Sequence, residues 1–257
     1  MFLNNAFRTV LSTLGVLLFF ITLPAKVSAH PLDENIILDI EQGEMRIDPN
    51  RQLTEREEAQ RRRDMRRLNA MPWQQKFWRY FIVGVEHIVP KGLDHILFVI
   101  GIFLASFQLR RLVLQISAFT LAHSLTLAAA MLGWVNVSAS IVEPLIALSI
   151  AYIAIEFFFI KGAEKWRPLV IFLFGLLHGL GFASVLSAIG LPSQSVLLAL
   201  VAFNIGVEAG QLLVILACFL LFYWALKRPE YRRYVQVPGF ALIGLVGTFW
   251  FFERIIS

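Results

Sequence analysis

From residue 93 to residue 252 the chain is a succession of long apolar runs, at residues 93–109, 112–132, 139–160, 168–190, 195–226 and 235–252, parted by short breaks. A helix needs about 20 residues to cross the hydrocarbon of a bilayer. In lipid the backbone must satisfy its own polar groups, which helices do within one segment. The runs therefore predict an all-α fold, a polytopic transmembrane helix bundle of six spans. Composition agrees: 58% of the residues are hydrophobic, 16% are charged and the mean hydropathy is +0.68, whereas soluble domains hold roughly 45–50% apolar and about 25% charged residues. A soluble cytosolic enzyme is excluded. The single cysteine, Cys218, excludes a disulfide scaffold.

The charges between the runs orient the bundle. Arg110 and Arg111, then Lys161, Lys165 and Arg167, then Lys227, Arg228, Arg232 and Arg233 fall in alternate loops, while residues 134–138 and 191–194 carry no charge. Basic loops stay cytoplasmic, so the mature N-terminus and the C-terminus are expected on the periplasmic side of a bacterial inner membrane. The formal charge of +5 is then a matter of topology, and no nucleic-acid partner is expected. Residues 77–89 are too short for a span and end at Pro90 and Gly92. They read either as a re-entrant segment, forming an interrupted helix with residues 93–109, or as an amphipathic helix on the outer surface.

Ahead of the bundle lie two different stretches. Residues 1–29 have the layout of a secretory signal peptide: Arg8, an apolar stretch over residues 10–23, Pro24, and the small-residue ending Val27-Ser28-Ala29. An uncleaved anchor is the other reading. Cleavage after Ala29 would leave His30 at the N-terminus, with an amine and an imidazole able to chelate a metal. Residues 30–75 form a charged extracytoplasmic arm with eight arginines against ten carboxylates. Thr54 followed by Glu57 is a capping-box signature, so a helix is expected from Thr54 to about Asn69, with Glu57–Arg61 and Glu58–Arg62 pairs along it. The arm is either a solvated tether or a dock for a membrane-complex partner or lipid headgroups, with Trp73 and Trp78 as interface anchors.

Chemistry enters with the ionisable residues of the 76–257 transmembrane domain. A charge at the bilayer centre costs at least ~2.5–3.5 kcal/mol on insertion scales, so such groups face the bundle interior and are candidates for function. They are Glu86, His87, Asp94 and His95 around the break, His123, Glu143, Glu156, His178 and Glu208. No lysine or arginine falls deep in a run beside the carboxylates, so ion pairing is not expected to account for them. Imidazole with carboxylate suits divalent nickel, cobalt, zinc or iron, whereas copper(I) wants sulfur. In an unbroken helix His87 and Asp94, seven residues apart, share a face. Ser117, Thr120 and Ser124 give the His123 helix a polar stripe; Asn204, Glu208 and Gln211 do the same for residues 195–226. Gly175 and Gly179 have the spacing of close helix packing. A histidine-bearing run followed by a glutamate-bearing run occurs twice, as His123 then Glu143 and as His178 then Glu208, a weak parallel echo.

Four ordered motifs resemble the HupE/UreJ family of bacterial membrane proteins over about residues 77–252. They are the stretch from Glu86 through His87, Gly92, Asp94 and His95 to Phe98, then Ala118 to Ser124 around His123, Phe174 to Ala183 around His178, and Phe203 to Glu208. The family accompanies hydrogenase and urease gene clusters and is regarded as nickel or cobalt permeases. The resemblance implies that His87, Asp94 and His95 match its His and Gly-x-Asp-His element, and that His123, His178 and Glu208 match its later polar positions.

The expectation is thus a permease, not an enzyme. Its cargo is a divalent transition metal ion, nickel or cobalt first and zinc or iron next. His87, Asp94, His95, His123, His178 and Glu208 are its metal residues, and Glu86, Glu143, Glu156, Asn204 and Gln211 supporting or relay groups. The chain contains no G-x-x-x-x-G-K-[ST] loop, so a gradient or downstream sink would supply the energy. Two rivals remain open: an intramembrane metal or haem protein with His123 and His178 as axial ligands, and a non-catalytic subunit of a larger membrane complex.

Overall fold

A computed structural model describes residues 55–160, 162–189 and 195–256. The signal peptide, His30 and the Thr54 cap lie outside the described residues, as do the side chains of Glu57, Glu58 and Arg61. Every regular element described is helical. In chain order these are α1 (Glu55–Ala70), α2 (Trp73–Ile88), α3 (Leu93–Ala105), α4 (Leu109–Met131), α5 (Ala139–Phe159), α6 (Arg167–Ile189), α7 (Val196–Leu226) and α8 (Val237–Ile256). A short 3-10 turn, Ala163–Lys165, precedes α6, and a π turn, Arg232–Gln236, runs into α8. The helix expected over residues 54–69 is present as α1. It is followed by Trp73 and Trp78, both exposed.

Four helical segments are long and apolar enough to cross a membrane: α4, α5, α7 and Arg232–Ile256. The pair α2 and α3 makes a fifth if taken as one span, although the two rods meet at 70°. The apolar part of α6 that can be followed runs from Arg167 to Phe182. The expected first span, residues 93–109, needs correction. Its helix stops at Ala105, because Ser106 is extended (φ −161°, ψ 117°), and Leu109 already belongs to the next helix. Thirteen residues rise only about 20 Å, less than the hydrocarbon thickness.

The break between α2 and α3 has a local cause. A proline disfavours helical geometry in the residue before it, and Val89, ahead of Pro90, is extended (φ −124°, ψ 116°). Gly92 caps α3 and donates its N–H to the Ile88 carbonyl at 3.1 Å. A Cβ at Gly92 would run into the His87 carbonyl, so only glycine lets the chain fold this tightly beside that histidine.

Three helix pairs pack along their length: α2 with α7, α4 with α6, and α5 with α8. The short α3 lies among them, touching α5, α7 and α8. Its face from His95 to Leu104 is buried throughout. The α4–α6 crossing is a small-residue contact, as expected for Gly175 and Gly179. A Cβ at Gly179 would strike the His123 carbonyl and the Thr126 hydroxyl, and one at Gly175 would crowd the Phe119 carbonyl. Backbones this close bring the residues beside those glycines together across the interface.

Candidate metal centre

Four histidines from four helices meet in the interior. His87 comes from the last turn of α2, His95 from the first turn of α3, His123 from the middle of α4 and His178 from the middle of α6. The helix break brings the first two together. Ring centroids are 4.7 Å apart for His87 and His95, 4.8 Å for His95 and His178, 5.9 Å for His87 and His123, and 6.0 Å for His95 and His123. Ligand nitrogens of His87, His95 and His123 all lie within 4.8 Å of one another. His123 is fully buried, and His178 and His95 are nearly so.

The walls around the cluster are aromatic. Phe98 and Phe119 face His178 at 5.5 and 5.0 Å, and Phe182 lies 3.8 Å from the His87 ring while stacking on Phe203 at 5.0 Å. The phenyl rings of this box offer the imidazole nitrogens no hydrogen-bond partner. In all four histidines Nε2 is buried without a hydrogen bond, which is costly for a polar atom.

Two of the rings are held by their other nitrogen. His178 Nδ1 donates to the Phe174 carbonyl at 2.8 Å. His123 Nδ1 contacts Asn204 Oδ1 at 3.3 Å, and the Asn204 amide nitrogen donates to the Leu200 carbonyl at 2.8 Å. Since a carbonyl oxygen only accepts, both Nδ1 atoms carry the proton and both Nε2 atoms present a lone pair. This is the arrangement that orients imidazoles for a metal. Transition-metal–imidazole bonds are about 2.0–2.1 Å, and the His87, His95 and His123 nitrogens, gathered within 4.8 Å of one another, form a set that could hold one ion.

The carboxylates are placed otherwise. Asp94 accepts from Arg254 Nη2 at 3.0 and 3.1 Å. Glu156, buried, accepts from Arg167 Nε at 2.6 Å, and Glu86 pairs with Lys91 at 2.9 Å. The expectation that ion pairing does not account for the carboxylates is therefore corrected for these three. The apolar run ended at residue 252, two residues short of Arg254, and linear spacing does not reveal which helix ends meet. The 70° bend also removes the shared face expected for His87 and Asp94. The Glu143 side chain is exposed, and only its carbonyl takes part, accepting from Arg254 Nη1 at 3.1 Å.

Glu208 receives a hydrogen bond from Ser117 at 2.6 Å, and Thr120 donates to Gln211 Oε1 at 3.0 Å. The two polar stripes read from the sequence thus face each other across α4 and α7, and His123 with Asn204 forms a third rung. Ser124 leaves the seam and donates to the Thr120 carbonyl. Sequence reasoning missed Arg254, Arg167 and the role of the phenylalanines. Phe98, Phe119, Phe182 and Phe203 all sit inside the quoted motifs, and that proximity was the available signal.

Apolar helices around a cluster of buried imidazoles define a helical membrane protein with a group of histidines that could hold a metal ion. The chain matches the family model described as HupE / UreJ protein over residues 62–254 and belongs to that family, which is related to nickel and cobalt handling. The match begins within α1, so residues 62–75 of the charged arm fall inside the family region. No curated protein and no solved structure matches the chain.

Proposed function

We propose that this protein is a permease for a divalent transition metal ion, nickel or cobalt foremost, which passes between its helices by way of the histidine cluster. The observation that carries this reading is the set of four buried Nε2 atoms without hydrogen-bond partners, two of them on rings whose Nδ1 is already committed. Histidines kept only for packing would have used both nitrogens. Borderline cations favour imidazole; zinc and iron fit the same donors and rank after nickel and cobalt. His87, His95, His123 and His178 bind the cargo. Glu208, with Gln211, Thr120 and Ser117, is the polar continuation of the route along α4 and α7, and Asn204 fixes the His123 tautomer. Glu86, Glu143 and Glu156 lie outside the cargo route.

In the inner membrane we count six spans, with the bent pair α2–α3 and α6 each crossing once. The basic loops face the cytoplasm and the C-terminus faces the periplasm. A cation site on a helix broken at membrane depth is a recurrent feature of transporters. Nickel accumulation in cells expressing the wild type, His95→Ala or His178→Ala tests the reading. Both variants should insert normally and lose uptake, and unchanged uptake in both would refute it.

A further inference from the structure

The contact between Asp94 and Arg254 differs from the other ion pairs. Asp94 is the residue before His95, whose Nε2 is one of the unpartnered four. A single guanidinium nitrogen, Nη2, spans both Asp94 oxygens, the other, Nη1, holds the Glu143 carbonyl, and the guanidinium carbon lies 5.5 Å from the Trp250 ring centre. One side chain thereby joins α3, α5 and α8. The pair is accessible, with Arg254 22% and Asp94 26% exposed, whereas His95 immediately behind it is 6% exposed. The Glu156–Arg167 pair is more deeply buried, at 4% and 14%, closes the neighbouring α5–α6 hairpin and adjoins no histidine in the chain.

A dication at the histidines and a guanidinium on the adjacent carboxylate repel each other, and the repulsion is strong where water is scarce. The same carboxylate, once released, is a hard oxygen donor of opposite charge beside the nitrogen set. We propose that Arg254 is a displaceable cation on Asp94. It holds the carboxylate closed until the incoming dication takes its place, and the Asp94–Arg254 pair is the gate on the water-facing side of the histidines. On release the guanidinium keeps the Glu143 carbonyl and the face of Trp250 as its alternative partners. Arg254 is a positioning residue that acts through Asp94, and the proposal rests on the metal-site reading above.

The test is titration of purified full-length protein in detergent with Ni²⁺ by calorimetry, comparing wild type, His95→Ala, Arg254→Gln, Asp94→Asn and the Arg254→Gln/Asp94→Asn double variant. Removing the internal competitor should tighten Ni²⁺ binding by about tenfold or more. Asp94→Asn should weaken it, and in the Asp94→Asn background removing Arg254 should recover only the small part of the tightening that relief of direct charge repulsion supplies. An arginine with a purely structural role would lower the melting temperature and tighten nothing, and that result overturns the proposal. Tightening of undiminished size in the Asp94→Asn background overturns it as well. If wild type and His95→Ala bind Ni²⁺ equally, the metal-site reading fails and takes the gate with it; histidine-dependent binding without tightening in Arg254→Gln removes the gate alone. Should Arg254→Gln not fold, Arg254→Lys carries the test. A lysine cannot hold Asp94 and the Glu143 carbonyl together as the forked guanidinium does, so intermediate tightening is expected, and affinity equal to or below wild type overturns the gate.

Discussion

The imidazoles and the carboxylates of this bundle have opposite fates. Each of the four clustered histidines keeps one buried nitrogen without a partner. Asp94, Glu156, Glu86 and Glu208 are each engaged, by Arg254, Arg167, Lys91 and Ser117 in turn. The two residue classes are interleaved in the sequence, and insertion energetics treats both as conspicuous. What separates them is whether the rest of the fold completes them. An acid answered by an arginine explains itself through folding, whereas an imidazole left open in an aromatic box is one that the described part of the fold does not complete.

That contrast can be broken most sharply at the histidines. Replacing His95 or His123 by alanine should abolish stoichiometric nickel in purified protein, measured by elemental analysis, while leaving helix content unchanged by circular dichroism. The reverse pattern belongs to Glu156→Gln. It leaves Arg167 largely buried without its counter-charge, which typically costs about 3–5 kcal/mol, so thermal stability should fall while nickel content per folded protein stays at the wild-type level. Asn204→Ala touches the centre indirectly: freeing the His123 Nδ1 should weaken nickel binding by about tenfold, the lower end for loss of a group that orients a ligand, as read by calorimetry. Glu86→Gln is the smallest change. Its pair with Lys91 is over two-fifths exposed at both ends, so the melting temperature should not move measurably, in keeping with the small worth of exposed pairs.

Much of this was legible in the residues. The apolar runs announced helices, the capping-box signature announced a helix over the region where α1 lies, and the glycines beside His178 pointed to a close helix contact, which is made with α4. The histidines stood out because imidazole in an apolar run is expensive, and periodicity alone aligned Ser117 and Thr120 with His123, and Glu208 and Gln211 with Asn204. Legibility failed where the answer lay between distant segments. Arg254 reaches Asp94 across 160 positions, a relation set by how α8 leans on α3 and by no local pattern. The bend had a visible cause in Pro90 and Gly92, but its angle depends on what α2 and α3 each pack against. The length of the first apolar helix escaped for the same reason, since an apolar run does not reveal that Ser106 becomes extended and ends the helix at Ala105.

The glycine-lined crossings and the break at Pro90 also decide how the four imidazoles are distributed. His87 travels with the α2–α7 pair, His123 and His178 with the α4–α6 pair, and His95 with α3, which leans on α5 and α8. A cation held by all four would be a keystone set where these units abut. Loading it would fasten rods that otherwise share only modest side contacts, raising the melting point with ligand concentration as mass action requires. Unloading it would free them to slide.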